Sequence, residues 1–252
     1  MSSRKLTFEG ATGDQLAARL DMPEGSPMAC AVFAHCFTCS KDLRAVGRIS
    51  ESLTSEGIGV LRFDFTGLGE SEGDFADTGF ASNVEDLVAA ARFLEREIGS
   101  PRILVGHSLG GAAVIQAAHH IDSVAAVATI GAPADPSHVE HLLGDARGQI
   151  ERDGEAEVTI GGRPFLVRRK FLEDLDGAKQ AERIRALGRP LLIFHSPVDT
   201  IVGIDNAALI FEAARHPKSF VSLDRADHLL TNPDDAEYVG LVLAAWARKY
   251  IT

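Results

Sequence analysis

The sequence predicts an α/β domain built on a mostly parallel sheet. Short, wholly apolar runs that read as buried strands alternate with segments whose apolar residues recur at helical spacing. Ile103 to Val105, Gly106-His-Ser-Leu-Gly110 and Leu109 to Ala118 form a strand, a tight turn and an apolar helix in immediate succession. The chain has 252 residues, 45% of them hydrophobic, which suits one α/β domain with a sizeable core, and no stretch has the character of a linker.

Lys5 to Glu9 and Gln15 to Met22 alternate apolar and polar residues around Gly10-Ala-Thr-Gly13, the pattern of an antiparallel pair at a sheet edge. Cys30 to Ala34 is an apolar strand. Ser40 is placed to cap the next helix, in which Leu43, Val46, Ile49 and Leu53 recur until Gly57 stops it. Ile58 to Phe63 is a strand, and the glycine-rich loop Asp64 to Gly73 follows. This loop lacks the Lys-Ser/Thr of a phosphate cradle and carries several carboxylates, which argues against nucleotide binding. Ser82 to Glu85 has capping-box spacing, and Phe80, Val84, Leu87, Val88, Ala91, Leu94 and Ile98 trace one helical face. Pro101 opens the strand that leads to Ser108, and Val124 to Ile130 is the next.

From about Pro133 to Gly177 the pattern changes to an insertion. It is polar and helical at first, then Ala156 to Ile160 and Arg163 to Val167 flank Gly161-Gly162 as a hairpin. An excursion of this kind between core elements is expected to cap the active site, with Phe165, Leu166 or Phe171 walling a substrate pocket or, equally, holding the cap together. The core resumes with a helix at Ala181 to Leu187, a strand at Pro190 to Phe194, a helix at Ile204 to Ala214 and a strand at Ser219 to Leu223. Asn232-Pro233 caps a final helix running to Tyr250.

Twenty-five Lys and Arg against 36 Asp and Glu give a net charge of -11, which disfavours nucleic acid and anionic membranes as partners. Arg163 to Lys170 is interrupted by Phe165, Leu166 and Val167 and reads as the solvated side of a strand. The N-terminus lacks the apolar core of a signal peptide and no apolar run is long enough to span a membrane, so a cytoplasmic location is the default expectation. Cys30, Cys36 and Cys39 do not suggest a secreted disulfide framework. Cys36 and Cys39 are expected as reduced, packed thiols; the alternative is a redox bridge.

Gly106-x-Ser108-x-Gly110 between a strand and a helix is the setting in which the motif carries chemistry. Both glycines are needed where the chain reverses, the serine projects from a strained turn, and a helix N-terminus behind it favours negative charge on an attacked acyl group. A serine hydroxyl attacks at neutral pH only when a histidine takes its proton and an acid orients that histidine. Asp199 follows the strand ending at Phe194, and His228 follows the strand ending at Leu223, so acid and base fall at strand ends in the order such nucleophile turns require. His195 precedes the acid and is the serious rival; His107 is expected to point away from the cleft. Asp227 is read as a loop-stabilising side chain. His195, His228 and Asp199 lack metal-site spacing, and no metal is expected. Two backbone donors must face the developing oxyanion: Leu109 N–H, immediately after the nucleophile, and Phe37 N–H from the His35-Cys36-Phe37 turn.

Together, Gly106-His-Ser-Leu-Gly-Gly111, Asp64-Phe-Thr-Gly-Leu-Gly-Glu-Ser71, His195-Ser-Pro-Val-Asp199 and Asp227-His228 resemble an α/β-hydrolase of the serine aminopeptidase-like, cinnamoyl- or feruloyl-esterase-like branch, over essentially the whole chain. His35 to Asp42 is similar to hydrolase domains often fused to an OsmC-type domain, although many relatives carry glycine where Cys36 stands. The resemblance implies an eight-stranded, mostly parallel α/β-hydrolase sheet with a small cap. It also implies a Ser108, Asp199, His228 triad served by Phe37 and Leu109, and a serine esterase working through an acyl-enzyme on small uncharged esters without a cofactor. Amide cleavage, acyl transfer, cofactor-free peroxidation on the same triad, and a non-catalytic ligand-binding module are the alternatives.

Overall fold

The computed structural model describes residues 1–36, 39–160 and 162–251, with the side chains of 141, 142 and 176 outside the description. Its strands are β1 (Ser2–Glu9), β2 (Gln15–Met22), β3 (Ala29–Ala34), β4 (Ile58–Phe63), β5 (Pro101–His107), β6 (Ala126–Ile130), β7 (Glu155–Ile160), β8 (Arg163–Arg168), β9 (Leu191–His195) and β10 (Lys218–Ser222). The helices are α1 (Arg44–Ser55), α2 (Phe80–Glu97), α3 (Leu109–Ala117), α4 (Ala146–Asp153), α5 (Arg169–Asp176), α6 (Gln180–Ala186), α7 (Asp205–Ala213) and α8 (Pro233–Ile251).

Eight strands form one sheet in the order β1-β2-β4-β3-β5-β6-β9-β10. The pair β1–β2 is antiparallel, with Ser2 opposite Met22, and β2 runs antiparallel to β4. Every other pairing in this sheet is parallel. This is the α/β-hydrolase fold expected from the sequence. The central strands β3, β6 and β9 are buried along their whole length, which is why they lack polar alternation. One face packs on α1 and α8 through Val46, Ile49, Leu53, Val239 and Leu243; the other packs on α2 and α3 through Leu87, Leu94, Ala113 and Val114.

Several boundaries differ from the sequence reading. Ser40 does not cap α1 with its side chain; its carbonyl accepts from Leu43 N–H at 3.1 Å, and the helix starts after Leu43 without a side-chain cap. Ser82 lies one turn inside α2 rather than at its cap, and its hydroxyl accepts from Gly79 N–H at 2.8 Å. Arg163 to Lys170 crosses from β8 into α5, and Arg168 bonds Glu155 at 3.0 Å and also pairs with Asp77.

Within the insertion, β7 and β8 pair as a separate antiparallel hairpin closed at Ile160 opposite Arg163; Gly161 of the predicted turn lies outside the described residues. Cys36 and Cys39 are bridged, with Cα atoms 5.3 Å apart, so packing as two free thiols is not what the structure contains. Cys30 is free and buried, and burial pushes its thiol up to about 11.

Candidate active site

The carboxyl ends of the parallel strands converge on Ser108. This residue lies between β5 and α3 with φ 55° and ψ −127°, a backbone state costing on the order of 1–3 kcal/mol that the neighbours must impose. They do so through close approach. A β-carbon at Gly106 would run into the Gly110 carbonyl and lie 2.6 Å from Gly111 Cα, while one at Gly110 would strike the carbonyls of His35 and Ala34. Ser108 N–H donates to Ile130 O at 2.8 Å, tying the turn to β6.

Ser108 Oγ lies 3.0 Å from His228 Nε2, and His228 Nδ1 lies 2.7 Å from Asp199 Oδ2. The other carboxylate oxygen of Asp199 accepts from Ile201 N–H at 2.8 Å and Val202 N–H at 2.9 Å. Burial alone would favour the neutral acid. The His228 hydrogen bond and these backbone donors outweigh it and hold the Asp199 carboxyl below its usual range. An ionised Asp199 keeps the proton on His228 Nδ1, leaving Nε2 to accept from the serine hydroxyl. Gly131 closes the back of the pair: a β-carbon there would stand 3.3 Å from Asp199 Oδ2 and 3.4 Å from His228 Nδ1.

The rival histidines are engaged elsewhere. His195 is fully buried, donates from Nε2 to Val202 O at 2.7 Å and stays 3.9 Å from Asp199. His107, expected to point away from the cleft, is buried against His228: its Nε2 donates to the His228 backbone O at 2.7 Å. Asp227 accepts from Thr231 N–H at 2.9 Å and from the Thr231 hydroxyl, within its own loop.

Leu109, the first residue of α3, is buried immediately behind Ser108. Phe37, the other expected oxyanion donor, lies outside the described residues. The chain on either side of it is fixed: His35 donates from Nδ1 to Cys36 O at 2.7 Å, and Lys41 is buried with its ammonium 2.7 Å from both Asp64 and Glu70. Burial opposes the ammonium, yet the hydrogen bonds to Asp64 and Glu70 outweigh it and raise the Lys41 pKa. Asp64, Lys41, His107 and Gly131 also support the site. No local sequence signal marks them: Lys41 and Asp64, for example, stand 23 positions apart.

The residues expected to wall the pocket sit in the insertion. Phe165 is half-buried with its ring 4.9 Å from that of Phe75, Phe171 is buried in the core with its ring 6.5 Å from Phe75, and Leu166 is exposed. The insertion reaches the acid loop through His138, whose Nε2 donates to Ile201 O at 3.0 Å. A separate groove of about 1000 Å³ lies between α2 and the insertion, lined by Phe80, Val84, Arg92, Gln116 and Glu173, and includes no member of the triad. No helix among the described residues is long and apolar enough to cross a membrane.

A serine elbow on β5, an acid after β9 and a histidine after β10 define an α/β-hydrolase. Residues 31–241 match the alpha/beta hydrolase family, and the chain belongs to it. The chain is similar to the esterase domain of a Rhodothermus marinus protein, with 54% identity over 100% of both chains and a TM-score of 0.83. It shares its fold with Est1E of Butyrivibrio proteoclasticus, solved with ferulic acid bound, at 20% identity over 98% and 99% of the two chains and a TM-score of 0.80. It is also 23% identical over 177 residues to the uncharacterized protein YfhR of Salmonella typhimurium, covering 70% of this chain and 57% of that relative's length.

Proposed function

We propose that this chain is a serine carboxylic ester hydrolase acting through an acyl-enzyme on small uncharged esters. The observation that carries the reading is the continuous relay from Ser108 Oγ through His228 to Asp199, with bonds of 3.0 and 2.7 Å. In the first step His228 Nε2 takes the Ser108 proton as Oγ attacks the ester carbonyl. The carbonyl oxygen becomes an oxyanion facing the start of α3, with Leu109 and Phe37 N–H as its donors. Collapse expels the alkoxide, which receives its proton from His228, and leaves the acyl group on Ser108. Water, deprotonated by His228, then attacks the acyl-enzyme and releases the acid. Asp199 stays ionised throughout and stabilises the imidazolium.

The likeness to an esterase domain at 54% identity supports ester over amide cleavage. The net charge of -11 disfavours anionic substrates. Residues 133–177 serve as a cap, with the Phe165, Leu166 and Phe171 region on the substrate side. A series of p-nitrophenyl esters of increasing acyl length, run beside the matching anilides, tests the reading. Ester turnover with an acyl-enzyme burst is expected. Normal turnover by Ser108→Ala, or turnover of anilides alone, would overturn it.

A further inference from the structure

His107 is the chain neighbour of the nucleophile and the spatial neighbour of the base. It ends β5, is only 3% exposed, and its ring lies 5.0 Å from the His228 ring at an interplanar angle of 40°. Its Nε2 reaches the His228 carbonyl at 2.7 Å, across 121 positions of sequence. A carbonyl can only accept, so the ring must carry its proton on Nε2. Its Nδ1 is buried with no hydrogen-bond partner among the described residues. Burial, aided by the neighbouring His228, pushes the His107 pKa down to about 3, so the ring stays neutral and its tautomer is fixed.

His228 stands on an irregular loop between β10 and α8. Several bonds in this loop are internal to it: Leu230 N–H to Asp227 O at 3.1 Å, and Thr231 N–H to the Asp227 carboxylate at 2.9 Å. Such bonds stiffen the loop but move with it. The bond from His107 is different, because it runs from the sheet strand that carries Ser108 to the backbone of the residue that must take the Ser108 proton. We propose that His107 is a positioning residue: by holding the His228 carbonyl it sets the separation between the imidazole and Ser108 Oγ. This rests on the reading of Ser108 and His228 as nucleophile and base. A neutral ring suits the role, since a second cation 5.0 Å away would oppose the imidazolium that forms on His228 during each step.

The test replaces His107 with Phe, which keeps an aromatic ring against His228 but removes the donor, and with Gln, which offers an amide N–H. A displacement on the order of 1 Å can cost about a hundredfold in rate, so His107→Phe should lower kcat by about ten- to a hundredfold. KM should change by less than about twofold, because the substrate pocket is untouched. Acylation and deacylation, resolved by stopped flow, should slow together, since both route a proton through His228. His107→Gln should recover part of the loss. Full kcat in His107→Phe, a change in KM instead of kcat, or equal losses in Phe and Gln would overturn the proposal.

Should His107→Phe fail to fold, imidazole nitrogen NMR on the unsubstituted protein decides the matter. A protonated Nε2 and bare Nδ1 on His107, unchanged between about pH 5 and 8, are required; the opposite tautomer sinks the inference. Failure here is distinct from failure of the triad, which Ser108→Ala reports: an enzyme silenced by Ser108→Ala but indifferent to His107 would refute only the positioning role.

Discussion

Lys41 grips Asp64 twice, with its backbone N–H 2.6 Å from one carboxylate oxygen and its ammonium 2.7 Å from the other. Both side chains are essentially excluded from solvent. Asp64 also accepts from Glu70 N–H at 2.9 Å, so one carboxylate joins the end of β4 to the turn after β3. Removing one partner leaves a buried charge uncompensated, a loss of about 3–5 kcal/mol. Lys41→Met should therefore lower stability by that order in urea unfolding, while Lys41→Met with Asp64→Asn should cost less than the sum of the single changes. Additive losses would show that the two side chains are not coupled.

The triad should behave as one unit. Ser108→Ala and His228→Ala are each expected to lower kcat by about four or more orders of magnitude, and the double variant should lose little more than either alone. Multiplicative losses in the double variant would mean that the residues act independently.

Gly131 sits where a β-carbon would press on the pair Asp199–His228 by a few tenths of an ångström, and its φ of 54° is unfavourable for other residues. Gly131→Ala should press on the His228 ring and lower kcat about tenfold or more while leaving binding of a substrate analogue unchanged. Weaker binding at undiminished kcat would contradict this.

Burial holds His35, His107 and His195 neutral in the fold, each with a lowered pKa. Unfolding exposes these rings, which then take up protons below their ordinary value of 6.5. Stability is thus fully present above that pH and declines as pH falls from it, for His107 down to about 3. The slope is about 1.4 kcal/mol per pH unit for each such proton. Urea unfolding at several pH values checks this, and His107→Gln should flatten the slope by as much as one proton. An unchanged slope would mean that His107 does not take up its proton on unfolding.

The three insertion residues should separate by burial. Phe171→Ala removes a buried ring and should cost about 3–5 kcal/mol, whereas Leu166→Ala, at an exposed position, should change stability by less than about 0.5 kcal/mol. If Phe165 walls the acyl pocket, Phe165→Ala should shift the chain-length preference of kcat/KM. An unchanged preference with reduced Tm would leave it as packing against Phe75.

The sheet was legible because strands buried on both faces, such as Val32 to Ala34 and Leu191 to Phe194, cannot be confused with amphipathic ones. The turn from Gly106 to Gly110 was equally legible, since both glycines are demanded by backbone approach rather than by any side chain. Helix starts were less so. Ser40 and Ser82 both have capping chemistry, but local hydrogen-bond choices that sequence spacing does not reveal gave one a carbonyl role and the other an in-helix role. The supports of the site were hidden for a different reason. The bonds His107 to His228 and Lys41 to Asp64 join residues 121 and 23 positions apart, and nothing local to either marks its partner.

The distance along the chain between the proposed catalytic groups has its own consequence. His228 meets Ser108 across 120 residues and Asp199 across 29, and the three arrive from β5, β9 and β10. On the proposed mechanism, turnover is therefore a coincidence signal for the assembled sheet: slippage of β10 along β9 by a single residue would carry the His228 loop about 3.3 Å out of register while leaving most helices intact. Catalytic activity should thus be among the first properties lost under mild denaturation, ahead of helical circular dichroism, and a sensitive gauge of whether the final third of the chain is docked.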